Sequence, residues 1–247
     1  MSGAAVVYGL HAVRGLLARS GGRVRHLYVD ARRDDARMRE VVQLAQQLGI
    51  KPERVDAKQL AMRSADGNHQ GVIAEVDPMP AWHEDELIEA IAAASDPLVL
   101  VLDGVQDPHN LGACLRTADA CGAIAVVVPK DRAAGMNATV RKVAAGAAET
   151  TPLATVTNLA RTLKLLKDAG QWIVGADMAG TQLAWQADFT GSKALVMGSE
   201  GEGLRDLTRK SCDFLVRLPQ LGAVESLNVS VACGMLLYEA VRQRGAG

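Results

Sequence analysis

Aromatic side chains are nearly missing from this 247-residue sequence, where Phe, Tyr and Trp together make up 3%. With 49% apolar residues to bury, the core has to be built from Ala, Val and Leu. That composition suits helices packed on a parallel sheet. Cysteine is scarce as well. Cys114, Cys121, Cys212 and Cys233 form no C-x-x-C pair and have no histidine at ligand spacing. This argues against a zinc or redox motif and for buried free thiols in a reducing compartment. The five histidines, His11, His26 and His83 among them, show no metal-site spacing, so no metal is expected. No apolar run approaches the roughly 20 residues that cross a bilayer. The opening Met1-Ser-Gly-Ala-Ala-Val-Val lacks the basic start of a signal peptide. The expectation is a cytoplasmic protein with no membrane partner.

A net basic charge is also lacking, since the formal total is −1. The average conceals a segregation. Residues 1–75 carry 12 Lys/Arg against 8 Asp/Glu, residues 76–97 carry 6 acids and no base, and residues 98–247 carry 15 bases against 14 acids. Arg14, Arg19, Arg23, Arg25, Arg32 and Arg33 all fall in the first stretch. They are either solvated helix faces or a surface for phosphates.

The segment Asp77-Pro-Met-Pro-Ala-Trp-His-Glu-Asp-Glu joins two prolines to an acidic run and reads as a linker entering a helix over about 84–94. It divides the chain into residues 1–76, a linker at 77–97, and residues 98–247. The first part shows a helix over 10–18, a strand over 24–29, a helix over 35–48 stopped by Gly49, and a strand over 72–76. It reads as a small α/β sandwich. The second part opens with the buried-strand run Leu98-Val-Leu-Val-Leu102. Further strands are expected at 124–128, 172–175, 194–197 and 214–218, with helices at 110–121, 138–148, 159–169 and 227–242. The fold class is therefore α/β, with a parallel sheet of five or six strands in the second part.

Three polar clusters interrupt this apolar half. In Asp107-Pro-His-Asn110-Leu-Gly-Ala-Cys-Leu-Arg116, Asn110 alone reads as a helix N-cap. Arg116 among small residues pairs either with Asp103, Asp107 or Asp119, or with a bound anion. Gly198-Ser-Glu200-Gly-Glu-Gly203 has glycines for close backbone approach. Its order is neither the dinucleotide fingerprint nor a phosphate loop, and a tight turn is the plain alternative. In Ser226-Leu227-Asn228-Val-Ser230, Ser226 reads as a helix cap. Asn228 and Ser230 then fall inside the helix, bonded to its preceding turn.

Taken in order, the three clusters resemble the motifs of the SpoU branch of the SPOUT superfamily, the RNA ribose 2′-O-methyltransferases. Tyr8-Gly-Leu-His11 and His69-Gln-Gly71 resemble the substrate-binding domain that precedes such catalytic domains. The resemblance implies a C-terminal SPOUT domain with a deep trefoil knot, forming a homodimer. It also implies S-adenosyl-L-methionine as cofactor and a guanosine of large-subunit (23S) ribosomal RNA as substrate. Arg116, Asn110 and Glu200 then match the catalytic positions. Gly198, Leu218, Ser226, Leu227 and Asn228 fall where the family holds its cofactor. The alternatives are a tRNA ribose methyltransferase of the same family, a non-catalytic RNA-binding ribosome-assembly factor, and a small-molecule α/β enzyme. The missing phosphate fingerprints disfavour the last.

Overall fold

The computed structural model describes residues 4–65, 67–224 and 226–245. It divides into two compact units, Met1–Pro80 with Ala145–Thr150, and Ala81–Ala144 with Thr151–Gly247.

The first unit runs β1 (Ala5–Tyr8), α1 (Leu10–Ser20), β2 (Val24–Asp30), α2 (Ala36–Gln47), β3 (Glu53–Val55), α3 (Ala57–Arg63) and β4 (Val72–Val76). Its sheet has the order β1-β4-β2-β3, with only the β2–β3 pair parallel. One face packs Leu27, Val29 and Ala74 against Val13 and Leu17 of α1 and Met38 and Val41 of α2. The other carries Tyr28, Ile73 and Val55 under Leu60 of α3. Asp35 starts α2 by accepting from the main chain of Arg37 and Met38 at 3.0 and 3.2 Å, a standard cap. Three elements went unread in the sequence: β1, β3 and α3 are short. For α3 a signal exists, because Asp56 and Gln59 form a capping box. The two N-terminal motifs meet in space, where Leu10 N donates to Gln70 Oε1 at 3.1 Å. Ala145–Thr150 joins this unit through Glu149, which takes bonds from Arg23 and from Met79 N at 2.6 and 3.0 Å.

The second unit begins with α4 (Glu84–Ala93), then β5 (Leu98–Asp103), α5 (Pro108–Ala120), β6 (Ala125–Pro129), α6 (Ala138–Ala144) and β7 (Leu153–Val156). It continues with α7 (Leu159–Asp168), β8 (Trp172–Ala176), β9 (Gln182–Leu183), β10 (Lys193–Gly198), α8 (Asp206–Ser211), β11 (Phe214–Arg217) and α9 (Val229–Gln243). The strands form one sheet, β7-β6-β5-β10-β8-β11-β9, and every pair is parallel. Seven strands replace the five or six expected. β7 and β9 are too short to show a pattern. The helix expected over 138–148 stops at Ala144, because Ala145 and Gly146 take left-handed backbones at φ 51° and 98°.

Both sheet faces are covered. Val99, Val101, Val127 and Val196 pack with Leu87 of α4 and Leu163 of α7. The alternate residues Leu100, Leu102, Val126 and Leu195 point the other way and are equally buried. The chain runs outward from β5 through β6 to β7. It then crosses to β8, leaving a slot that β10 fills beside β5. A change of direction of this kind opens a crevice at the carboxyl ends of the strands, here β5 and β10. The thiols differ from expectation, since Cys114 and Cys233 are buried but Cys121 and Cys212 only partly so. Burial pushes the Cys212 thiol up to about 12, so it is inert at neutral pH.

Helices α5 and α6 touch through Gly112, where a Cβ would sit 2.7 Å from Val143 Cβ and 2.9 Å from the Val140 carbonyl oxygen. Gly112→Ala is expected to destabilise by about 2 kcal/mol through overpacking, a melting-temperature drop of roughly 4–8 °C. Gly135→Ala, with nothing within 4 Å of the added carbon, should melt close to the parent. Equal melting of the two variants by circular dichroism would contradict the close approach.

Candidate functional site

The site is built on the carboxyl ends of β5, β10 and β11. Asp103 closes β5 and is 1% exposed. It accepts from Arg205 N at 3.2 Å and Arg205 Nε at 2.5 Å, which ties the loop after β10 back onto β5. A charged residue at the end of an apolar strand is a visible signal. Asp103 pairs with Arg205 and not with Arg116, for which it was one of three candidate partners. On the neighbouring strand, Arg209 Nε donates to Asp177 Oδ2 at 2.8 Å and holds the loop after β8 in the same way.

Asp107, not Asn110, caps α5. Its carboxylate accepts from His109 N at 2.9 Å, with Pro108 in the first turn. The capping role considered for Asn110 is thereby taken, and its amide turns elsewhere: Asn110 Nδ2 donates to Glu200 Oε1 at 3.2 Å. Glu200 sits in a closed hairpin, where Ser199 and Gly203 exchange main-chain bonds of 3.1 and 3.0 Å. The hairpin folds back so closely that a Cβ on Gly198 would lie 2.1 Å from the Gly203 carbonyl carbon. Only glycine fits there.

The third cluster meets the first two. Asn228 is the N-cap of α9, accepting from Ser230 N and Ser230 Oγ at 2.9 and 2.6 Å. This corrects the assignment of the cap to Ser226. The helix begins at Val229, so Ser226 and Leu227 belong to the loop before it, and Asn228 lies at its mouth and not inside it. Asn228 Nδ2 donates to Asn110 Oδ1 at 3.0 Å and to Glu200 Oε1 at 2.5 Å, and Val229 N adds a bond of 3.1 Å to the same oxygen. Three residues spread across 118 positions thus share one network.

Leu218 follows β11, and its carbonyl accepts from Gln220 Nε2 at 3.3 Å. Leu221 and Val224 then stand out at 96% and 64% exposure. Among the described residues the main-chain N–H groups of residues 221–224 make no hydrogen bond.

Arg116 is not in the network. Six residues after Asn110 it lies about 240° around the helix, where it is exposed and its side chain makes no hydrogen bond or ion pair among the described residues. The three carboxylates considered as its partners are occupied: Asp103 by Arg205, Asp107 by the helix start, and Asp119 by Thr151 Oγ1 at 3.0 Å. Among the described residues no group of three His, Cys, Asp or Glu side chains is placed to hold a metal ion. No described helix is long and apolar enough to cross a membrane.

An all-parallel α/β unit, whose three polar clusters meet where β10 enters beside β5, is joined here to a small α/β unit. Residues 97–238 match the SpoU rRNA Methylase family, and residues 6–82 match the RNA 2′-O ribose methyltransferase substrate-binding family. The chain belongs to the SpoU family. It is 52% identical to the 23S rRNA (guanosine-2′-O-)-methyltransferase RlmB of Pseudomonas aeruginosa, covering 96% of each chain. Against RlmB of Escherichia coli it is 48% identical, covering 97% of this chain and 98% of the relative. Among solved structures it is similar to the SpoU methyltransferase AviRb of Streptomyces viridochromogenes in complex with AdoMet. That match has a TM-score of 0.69 and 27% identity, covering 99% of this chain and 92% of the other.

Asn228→Ala removes a helix cap and frees one side of Glu200. A loss of about 1 kcal/mol is expected, or roughly 2–4 °C in melting temperature, with Asn228→Asp recovering the cap but not the donated bonds. A melting temperature unchanged in the alanine variant would show that the network is not formed.

Proposed function

We propose that this chain transfers a methyl group from S-adenosyl-L-methionine to the ribose 2′-hydroxyl of a guanosine in 23S ribosomal RNA. The observation that carries this reading is the meeting of Asn110, Glu200 and Asn228 at one strand edge. It occurs in a chain that aligns along nearly its whole length with RlmB proteins.

The residues present fit the cofactor. The strand end at Gly198 lies flush against main chain. The uncommitted N–H groups of 221–224, between the apolar side chains of Leu221 and Val224, are the donor and contact set that a nucleoside requires. Gly198, Leu218, Ser226, Leu227 and Asn228 hold it in this reading. The cofactor supplies an activated methyl group on a sulfonium.

What the protein adds is placement and charge. Bringing a hydroxyl into line with an activated carbon is worth up to about 7–11 kcal/mol. Asn110 and Glu200, joined to each other by a direct hydrogen bond, position the ribose. Arg116 stabilises the negative charge growing on the 2′-oxygen, or orients the neighbouring phosphate so that it takes the proton. A guanidinium, which stays protonated in proteins and has no acceptor, does not act as the base. Its exposed guanidinium, unpaired among the described residues, supports a role towards RNA rather than towards the protein's own fold.

The division of labour belongs to the same reading. Residues 1–76, with their basic excess, recognise RNA, and residues 98–247 carry the reaction; of the expected linker 77–97, the part from Ala81 on, including α4, is built into the second unit. The trefoil knot, supported by the insertion of β10 between β5 and β8, and the homodimer belong to that reading too. Val231, Met235 and Tyr238 on α9 stand 48%, 49% and 69% exposed at positions that share one helix face. A second copy would cover that stripe. A cytoplasmic location follows from the substrate.

Arg116→Ala is expected to lower methyl transfer to 23S RNA by a hundredfold or more, about 2.7 kcal/mol in the barrier, while melting as the parent does. Arg116→Lys should fail too, since a point charge does not reproduce the planar fork. Transfer of labelled methyl groups to RNA, measured beside cofactor binding by calorimetry, checks this. Retention of more than about a tenth of the activity, a loss under ~1.4 kcal/mol, would remove Arg116 from the catalytic set.

A further inference from the structure

We propose that the loop after β6, residues 130–134, is a second RNA-phosphate site, holding the strand on one side of the reacting nucleotide. The proposal rests on the RNA reading above and adds a contact outside the three motif clusters.

Topology places the loop. Strands β5 and β6 are parallel neighbours, with Val101 opposite Val127, so β6 ends on the same carboxyl edge as β5. Adjacent strands lie about 4.8 Å apart. The loop therefore starts about one strand spacing from the chain that leads into Asp107 and Asn110. Two main-chain bonds fix it there: Lys130 N donates to the Val156 carbonyl at 2.8 Å, and Ala134 N donates to the Val105 carbonyl at 2.9 Å. The second bond ties the loop directly to the segment entering α5.

The side chains on this anchored loop are unspent. Lys130 and Arg132 are exposed, and their side chains make no hydrogen bond or ion pair among the described residues. Elsewhere in the same unit Arg161, Arg205, Arg209 and Arg242 are each paired with a carboxylate. Arg132 also holds a left-handed backbone at φ 59°, a conformation that costs about 1 kcal/mol or more in a residue other than glycine. A strained, anchored cation facing solvent beside a reaction edge is arranged for an anion brought by the substrate. Asp131, exposed between the two, reduces the local charge without cancelling it. It would bias the site towards a phosphate approaching the two flanking cations.

The test is the salt dependence of binding to a 23S RNA fragment, with cofactor affinity measured on the same preparations. For Lys130→Ala/Arg132→Ala, two lost phosphate contacts should lower the slope of log affinity against log salt by about 1.5 and weaken binding about tenfold at physiological salt. Cofactor affinity should not change. The charge-matched control Lys164→Ala/Lys210→Ala removes from α7 and α8 two exposed lysines whose side chains make no ion pair among the described residues and should leave the slope as in the parent. Asp131→Asn should tighten RNA binding. A slope unchanged in the test pair, or lowered equally in both pairs, would overturn the proposal. A fall in cofactor affinity would overturn it too, by placing the two cations on the cofactor. Binding is read without methyl transfer, so an enzyme that binds RNA but modifies none would count against the proposed activity and not against this site.

Discussion

Glu200 Oε1 accepts three hydrogen bonds, from Asn110, from Asn228 and from the main chain of Val229. The donors come from the start of α5 and the mouth of α9, which follow β5 and β11, while Glu200 itself follows β10. A single oxygen therefore sets the spacing of three loops that the sheet alone leaves independent. At about 1 kcal/mol for each bond with solvent-exposed partners, none is decisive for folding. Their sum fixes the relative position of the groups proposed to meet the ribose, and small errors in such placement are expensive in rate.

The carboxylate can do this only because the backbone beneath it is rigid. The Gly198 contact with Gly203 forces the hairpin to fold back, and the reciprocal Ser199–Gly203 bonds close it. Asp103, buried at the end of β5, holds Arg205 beyond the hairpin. The hairpin is thus pinned at its base and again a few residues on, leaving Glu200 at the exposed tip between the two. Arg116 obeys a different logic. The three carboxylates nearest to it in sequence are engaged elsewhere, which leaves its charge unpaired among the described residues.

Most of this architecture was readable from residues. Long buried strands such as Leu98–Asp103 and Lys193–Gly198 announce themselves, because burial on both faces demands continuous apolar runs. The elements that escaped are short. β9 has two residues and β7 four, too few for periodicity to act on. The end of α6 was misjudged because Ala145 adopts a left-handed backbone that its side chain does not advertise. At the site, motif resemblance located Asn110, Glu200 and Asn228, but local reasoning misassigned both caps. Asp107 was available one residue before Pro108, the arrangement that favours a helix start. Asn228 competed with Ser226 for the start of α9, and the contact with Glu200, 28 positions away, decided it. No local pattern carries such information. Equally hidden was the freedom of Arg116, which depends on what Arg205 and Thr151 do to its neighbours.

The role proposed for this network is to present a ribose hydroxyl for methylation. The most direct measurement replaces the target guanosine of a 23S RNA fragment by its 2′-deoxy form and follows labelled methyl acceptance alongside RNA binding. Acceptance should vanish while affinity stays within about threefold, since phosphate and base contacts dominate binding. Label still transferred to the deoxy substrate, and mapped to the base, would contradict the account.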